Sequence, residues 1–235
     1  ALQVSGVRAH RDRFFLCDWG GYVQDIGRAQ ALDSRYALMA KAPFRPAFLT
    51  RYAADLARIS CALLGLNKKV LVLDCDNTLW GGGLGEDGPD GIKLDPDDYP
   101  GNAFFAAQNV FLDIARRGVV LAICSKNNEA DVLDLMHTHP HCLMQPSDFA
   151  TMRINWENKA ENIQALAGEL NLGLDSFVFV DDSAFEIDMV SNQLPDVFCA
   201  QVPEKIFEYP DAMIALGERF FFAGAQTAED GNRSN

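Results

Sequence analysis

No stretch of the chain approaches the run of about 18 apolar residues that a membrane helix needs. The first residues also lack the basic, apolar and small-residue succession of a secretory signal. A cytoplasmic location without a membrane partner is expected. Cysteine is sparse and scattered: Cys17, Cys61, Cys75, Cys124, Cys142 and Cys199 form no C-x-x-C pair. Zinc and a disulfide framework are therefore disfavoured, and thiols inside apolar runs serve as small hydrophobes. There is no internal repeat and no low-complexity block, which excludes a solenoid. Positive charge is short in the larger part of the chain, where residues 70–235 hold 9 Lys/Arg against 28 Asp/Glu. A nucleic-acid partner is disfavoured there, because phosphate backbones need positive surface.

What is present is enough apolar material for a sizeable core: 235 residues, 49% of them apolar. This suits one large domain with a smaller N-terminal piece. Residues 1–69 reverse the charge balance, with 11 Lys/Arg against 5 Asp. Such a segment either meets an acidic partner or only solvates helices and answers the acidic part of the same molecule. Residues 1–65 read as a helical lead-in, closing with FLTRYAADLARISCALLG at Gly65.

From residue 66 the pattern alternates, and a catalytic domain is expected over 66–222 with a polar, frayed tail over 223–235. KVLVLD, GVVLAICS and SFVFVDD are continuous apolar runs, as parallel strands covered on both faces should be. Between them AFFAAQNVFLDIARR places Phe104, Ala107, Phe111 and Ile114 on one helical face. NNEADVLDLMHTH and NWENKAENIQALAGELN read as further helices, and HCLM as a short strand between them. AFEIDMVSN, DVFCA and a last helix started or interrupted by Pro210 complete the unit. The alternation predicts a doubly wound α/β fold with a parallel sheet and chemistry at the carboxyl ends of its strands.

Polar clusters stand at those expected ends. VLVLDCDNTLWGGG ends a strand in Asp74 and Asp76, which bracket Cys75 and run into a glycine-rich turn. Carboxylates so placed gather a hard cation such as Mg2+, which prefers oxygen ligands and bridges to phosphate. Thr78 adds a hydroxyl, and open amides of the turn can bind phosphate oxygens. In CSKNN, Ser125 can hydrogen-bond a phosphoryl oxygen, with Lys126 and Asn127 beside it as candidate substrate-binding residues. Lys159 can neutralise phosphate charge and orient the nucleophile, and Asp181 with Asp182 can complete the metal shell. His10, His137, His139 and His141 have no companion ligands and are not expected to bind metal. Trp80 and Trp156 read as packing residues beside the pocket rather than as substrate platforms.

DCDNT, Ser125, Lys159 and DDSAFE occur in the order of the four motifs of the haloacid dehalogenase (HAD) superfamily, which the chain resembles. The resemblance implies a HAD-like (Rossmannoid) fold. It makes Asp74 the aspartyl nucleophile and metal ligand, and Asp76 the general acid/base whose backbone carbonyl touches the metal. It further implies that Ser125 and Lys159 hold the phosphoryl group, and that Asp182, helped by Asp181, binds magnesium. Over roughly residues 35–222, LDCDNTLWGG, GEDG, CSKNN, NWENKAENI and FVFVDDS look like the FkbH-like family of polyketide pathways. This closer resemblance implies a glyceryl transferase/phosphatase. Such an enzyme takes a three-carbon unit from 1,3-bisphosphoglycerate, removes phosphate and loads the glyceryl group on the phosphopantetheine thiol of an acyl carrier protein. Cys75 then matches the acyl-carrying cysteine. DDSAFEID departs from the family, which more often has Asn-Pro after the two acids and Arg after the Glu.

Chemistry bears on Cys75 in both directions. Thiolate attack on an acyl phosphate gives a thioester, and magnesium with Lys159 would favour the thiolate. Two neighbouring carboxylates oppose it, and strand alternation can turn the thiol away from the metal. About 25 residues separate Asp76 from the helix near Ala103, and about 20 separate Lys159 from Asp181. Both inserts are too short for a folded cap, so an open, capless site is expected. Arg8, Arg11 and Arg13 are the candidate docking face for an acidic carrier domain, within a multidomain synthase or from a free-standing chain. The alternatives are a capless phosphatase acting on a phosphate ester or phosphoprotein, and a receiver-like phosphoacceptor.

Overall fold

The computed structural model describes residues 17–222. Arg8, Arg11, Arg13 and the tail from residue 223 lie outside them. The chain forms two compact units, one running up to Asn67 and taking in Phe222, the other spanning Lys68–Phe221.

The first unit is helical: α1 (Trp19–Ile26), α2 (Arg28–Ala31), α3 (Ser34–Ala40) and α4 (Pro46–Leu63). Its helix starts follow simple chemistry. The Asp18 carboxylate accepts from the Gly21 N–H at the head of α1, and Asp33 accepts from the Arg35 N–H at the head of α3. Pro46 opens α4, where its fixed φ suits a first turn and its missing N–H costs nothing. Tyr22, Ala31 and Phe48 form the small core. Phe44 stacks on Phe48 at 4.4 Å between ring centroids, and Trp19 meets both rings edge-on.

The second unit alternates as expected: β1 (Val70–Leu73), α5 (Leu84–Asp87), α6 (Gly101–Arg116), β2 (Val120–Ser125), α7 (Glu129–Thr138), β3 (Thr151–Ile154), α8 (Lys159–Leu170), β4 (Phe177–Asp181), α9 (Ala184–Gln193), β5 (Phe198–Gln201) and α10 (Tyr209–Phe220). All pairings are parallel and the strand order is β3-β2-β1-β4-β5. Strand alternation sorts the core into two layers. Leu71, Leu73, Leu121, Ile123, Val178 and Val180 pack with apolar residues of α6, α7 and α10. Val70, Val72, Ala122, Cys124, Phe177 and Phe179 pack with those of α8 and α9. Every residue of β1 is fully buried, which explains its uninterrupted apolar run. Phe104, Ala107, Phe111 and Ile114 do form the buried face of α6.

Two local expectations are corrected. HCLM is not a strand, because the Leu143 and Met144 N–H groups donate to the side-chain carbonyl of Gln108 at 2.9 and 3.3 Å instead of to a sheet. The edge strand is TMRI, paired to β2 from Thr151↔Ala122 to Ile154↔Ser125. Its polar Thr and Arg hid it from a search for apolar runs. The helix expected from Asn155 begins at Lys159, since the Asn158 side chain accepts from the Ala160 N–H as an N-cap.

Gln108 is fully buried and also donates to the Leu79 carbonyl at 2.8 Å, tying α6 to the turn after β1 and to the 143–144 segment. Gln108→Leu should therefore strand buried backbone groups and cost about 3 kcal/mol, read as a lower urea midpoint with unchanged slope. A loss near zero would show that these ties are dispensable.

Candidate functional site

Sheet order places the site. The chain enters at the central β1 and reverses direction between β1 and β4, so the connections leaving those strands part and open a crevice. Asp74 follows β1, with its N–H donating to the Val180 carbonyl at 3.0 Å. Asp181 ends β4 and Asp182 follows it. Carboxylate oxygens of these three residues lie within 4.8 Å of one another, a cluster that can hold a metal ion. Lys159, at the start of α8, brings its buried Nζ 3.0 Å from Asp74 Oδ1 and 2.6 Å from Asp181 Oδ2.

Burial sets the electrostatics. It pushes the Asp74 carboxyl up, while Lys159 and the Ser125 hydroxyl pull it down. Asp181 is pushed up to about 6 by burial and then by Asp74. Asp182 is raised by burial and by Asp181. Burial alone would lower Lys159, yet Asp74 and Asp181 outweigh it and hold the ammonium above its usual range. The donor set suits magnesium: three carboxylates, crowded, partly discharged by one lysine and short of positive charge.

Asp76 stands apart from that cluster. Its Oδ1 accepts from Trp80 Nε1 at 2.9 Å and from the Leu84 N–H at 3.1 Å, and its Oδ2 accepts from Asn127 Nδ2 at 3.0 Å. Three donors fix the carboxylate in one orientation. The turn that delivers it bends through Asn77, whose φ of 52° is left-handed, as Asn tolerates. Ser125 ends β2, the neighbour of β1, and is buried.

Other expected site residues are placed differently. Cys75 has 0% exposure and packs with Leu71 and Leu73 in the α6-side layer. Its thiol is held well above the usual range by burial and by Asp74. Thr78 is also fully buried, and its Oγ1 has no hydrogen-bond partner among the described residues. Lys126 donates to Glu186 Oε1 at 2.7 Å, which commits its ammonium to protein. Asn127 is spent on Asp76. Trp80 packs as expected, but Trp156 is 74% exposed and packs little.

Sequence reasoning passed over Glu186, which is buried and keeps Oε2 without a partner. Its signal was an acid in the first turn of a helix whose N-cap, Ser183, follows two aspartates. A cavity of about 350 Å³ also went unseen, because its walls come from distant segments: Asn77, Lys93, Phe104, Asp182, Val202 and Ile206 among them. It opens beside the metal cluster through Asp182. Gly81 completes the wall, since a Cβ there would stand 2.6 Å from the Phe104 ring. Neither insertion, after Asp76 or after Lys159, holds a folded cap among the described residues.

Lys159→Met would leave Asp74 and Asp181 facing each other uncompensated. The metal-free variant should lose about 3–5 kcal/mol, and millimolar magnesium should restore part of its melting temperature. A variant as stable as the parent without metal would contradict this account of the cluster.

No protein-family model matches the sequence, and no curated protein matches it. Among solved structures it is similar to the N-terminal part of protein BF1531 from Bacteroides fragilis, described as containing a phosphatase domain complexed with Mg. The two are 32% identical with a TM-score of 0.82, over 95% of this chain and 58% of that one. The chain thus spans somewhat over half the length of that relative. More distant likenesses include the HAD domain of an effector protein from Legionella pneumophila, at 12% identity and a TM-score of 0.46 over 72% of this chain and 98% of that one. Another is a HAD-family enzyme from Bacteroides thetaiotaomicron in complex with magnesium and inorganic phosphate, at 13% identity and 0.41 over 59% and 96%. With its parallel sheet in the order β3-β2-β1-β4-β5 and its carboxylates at the strand ends, the chain has a HAD-like α/β fold, which it shares with that N-terminal part of BF1531.

Proposed function

We infer that the chain is a capless, magnesium-dependent phosphohydrolase. The observation that carries this reading is the convergence of Asp74, Asp181 and Asp182 within 4.8 Å, with Lys159 bridging two of them and Asp76 fixed outside the cluster. The 32% identity to a phosphatase domain complexed with Mg supports the same cation. Asp74, Asp181 and Asp182 would hold magnesium, which supplies positive charge to phosphoryl oxygens when bound.

Each residue has a task that its surroundings allow. An Asp74 carboxylate oxygen attacks phosphorus, the phosphorus–oxygen bond to the leaving group breaks, and Asp76 gives that oxygen a proton. Asp76 then takes a proton from water, whose oxygen attacks the same phosphorus, and the bond to Asp74 breaks to release phosphate. Donors from Trp80, Leu84 and Asn127 keep Asp76 aimed for both transfers. Lys159 and Ser125 orient Asp74 and face the phosphoryl oxygens. Asp74→Asn should abolish hydrolysis of p-nitrophenyl phosphate, and Asp76→Asn should lower it by about a hundred- to ten-thousand-fold. Chelation of magnesium should abolish it in the parent. Turnover by Asp74→Asn at the parent rate would sink the assignment.

A finer reading is transfer of a glyceryl unit from 1,3-bisphosphoglycerate through a Cys75 thioester to the phosphopantetheine thiol of an acyl carrier protein. One observation favours it: Cys75 stands between Asp74 and Asp76 directly after β1, at the carboxyl edge where the site lies. Full burial of Cys75 weighs against it, so the phosphohydrolase reading leads. Intact-mass measurement after incubation with magnesium and 1,3-bisphosphoglycerate separates the two. A glyceryl adduct on the parent, missing from Cys75→Ala, would establish the transferase. Phosphate release without an adduct, unchanged in Cys75→Ala, is the expected result.

A further inference from the structure

We propose that the mouth of this site docks a basic, phosphorylated polypeptide segment on a ring of exposed aromatic side chains. The inference rests on the phosphohydrolase reading and supplies its substrate class.

In an all-parallel sheet every strand-to-helix connection lies at the carboxyl edge, around the site. Three of these connections carry one large exposed aromatic each, and a fourth such aromatic sits in the first turn of α9. Tyr99 lies between β1 and α6 at 57% exposure, and Trp156 between β3 and α8 at 74%. Phe185 follows β4 at 71%, and Phe207 follows β5 at 63%. Tyr99 and Phe207 adjoin Pro100 and Ile206, which line the cavity beside Asp182. Trp156 stands on the connection into α8 and Phe185 in the first turn of α9, the helices of the opposite layer. The aromatics therefore straddle the crevice from both faces of the sheet. In the same unit, Ile214 at 46% is the remaining large hydrophobic with comparable exposure among the described residues. Single exposed apolar residues need no explanation, but a set confined to one edge marks an interaction surface. Aromatic side chains are the type that anchors such surfaces.

Charge identifies the occupant. The β1–α6 connection exposes Glu86, Asp87, Asp90, Asp95, Asp97 and Asp98 against a single cation, Lys93. Glu157 and Glu204 add to the rim, while Lys126 and Lys205 are already paired with Glu186 and Glu208. This edge repels nucleic acid and anionic lipid surfaces, and an acidic carrier domain as well. It attracts a segment bearing Lys or Arg. Asp74 lies at the crevice base with 5% exposure, so the phosphorylated side chain must protrude from a flexible segment to reach it. Covering the open mouth would then exclude water from the transfer.

The test compares two fluorescent phosphoserine peptides, identical except for lysine or glutamate flanks, with p-nitrophenyl phosphate as the small substrate. Binding is followed by anisotropy and hydrolysis by phosphate release, for the parent and the Trp156→Ala/Phe185→Ala double variant with magnesium. The basic peptide should bind about tenfold more tightly than the acidic one, an advantage that shrinks in about 0.5 M salt. The double variant should lose about tenfold in affinity and kcat/KM on the basic peptide, with p-nitrophenyl phosphate turnover unchanged. Equal binding of both peptides, or undiminished binding by the double variant, overturns the docking surface. Binding as expected with no turnover of any substrate leaves the docking surface standing and overturns the phosphohydrolase reading instead.

Discussion

The site depends on one buried cation among carboxylates. Asp74, Asp181 and Asp182 carry like charges into a space only a few ångströms across, and Lys159 answers two of them at 3.0 and 2.6 Å. Repulsion between unit charges at about 4 Å amounts to several kcal/mol near a protein surface and more where water is excluded. Without the lysine the strand ends could not hold this geometry in the absence of metal. Lys159 in turn depends on α8 beginning where it does, and the Asn158 cap together with the apolar face of Ala160, Ile163 and Ala167 secures that start. The clustered charges are thus consequences of packing on one face of the sheet, and the Phe179 ring of that face lies 5.9 Å from the Lys159 ammonium.

The other face holds the Asp76 carboxylate and takes in the thiol. Successive residues of β1 alternate between layers, and the alternation persists far enough beyond the strand to send Cys75 into the layer of Leu71 and Leu73. Asp76 leaves the strand in the turn through Asn77 and meets donors from Trp80, Leu84 and Asn127. A residue fixed by three donors outside the metal cluster suits proton transfer, whereas a thiol under full burial suits packing. Three consecutive residues, Asp74, Cys75 and Asp76, therefore occupy three different chemical environments.

Openness follows from the short insertions. With no folded cap among the described residues, the cavity beside Asp182 and the aromatic, acidic rim are what the structure presents next to the carboxylate cluster. The walls are apolar where Phe104, Val202 and Ile206 meet, and charged at Lys93 and Glu204. That mixture favours an organic leaving group over bare phosphate.

The alternation of apolar strands and amphipathic helices was legible in the residues because parallel strands buried on both faces must be uniformly apolar, and α6 must show its 3.6-residue stripe. Asp74, Asp181 and Asp182 were legible too, since charged residues at the end of such runs have only the carboxyl edge to occupy. Other features required distances across the chain. The polar edge strand Thr151–Ile154 is specified by its pairing with β2 and not by its own composition. Lys126, Asn127 and Thr78 had the chemistry of phosphate ligands, but Glu186, Asp76 and the core claimed them through contacts spanning up to 60 positions. Local sequence determined which groups stand at the strand ends, because backbone periodicity is a local property. Only tertiary structure decided which of them remain free to act, because burial and pairing depend on neighbours brought from elsewhere in the chain.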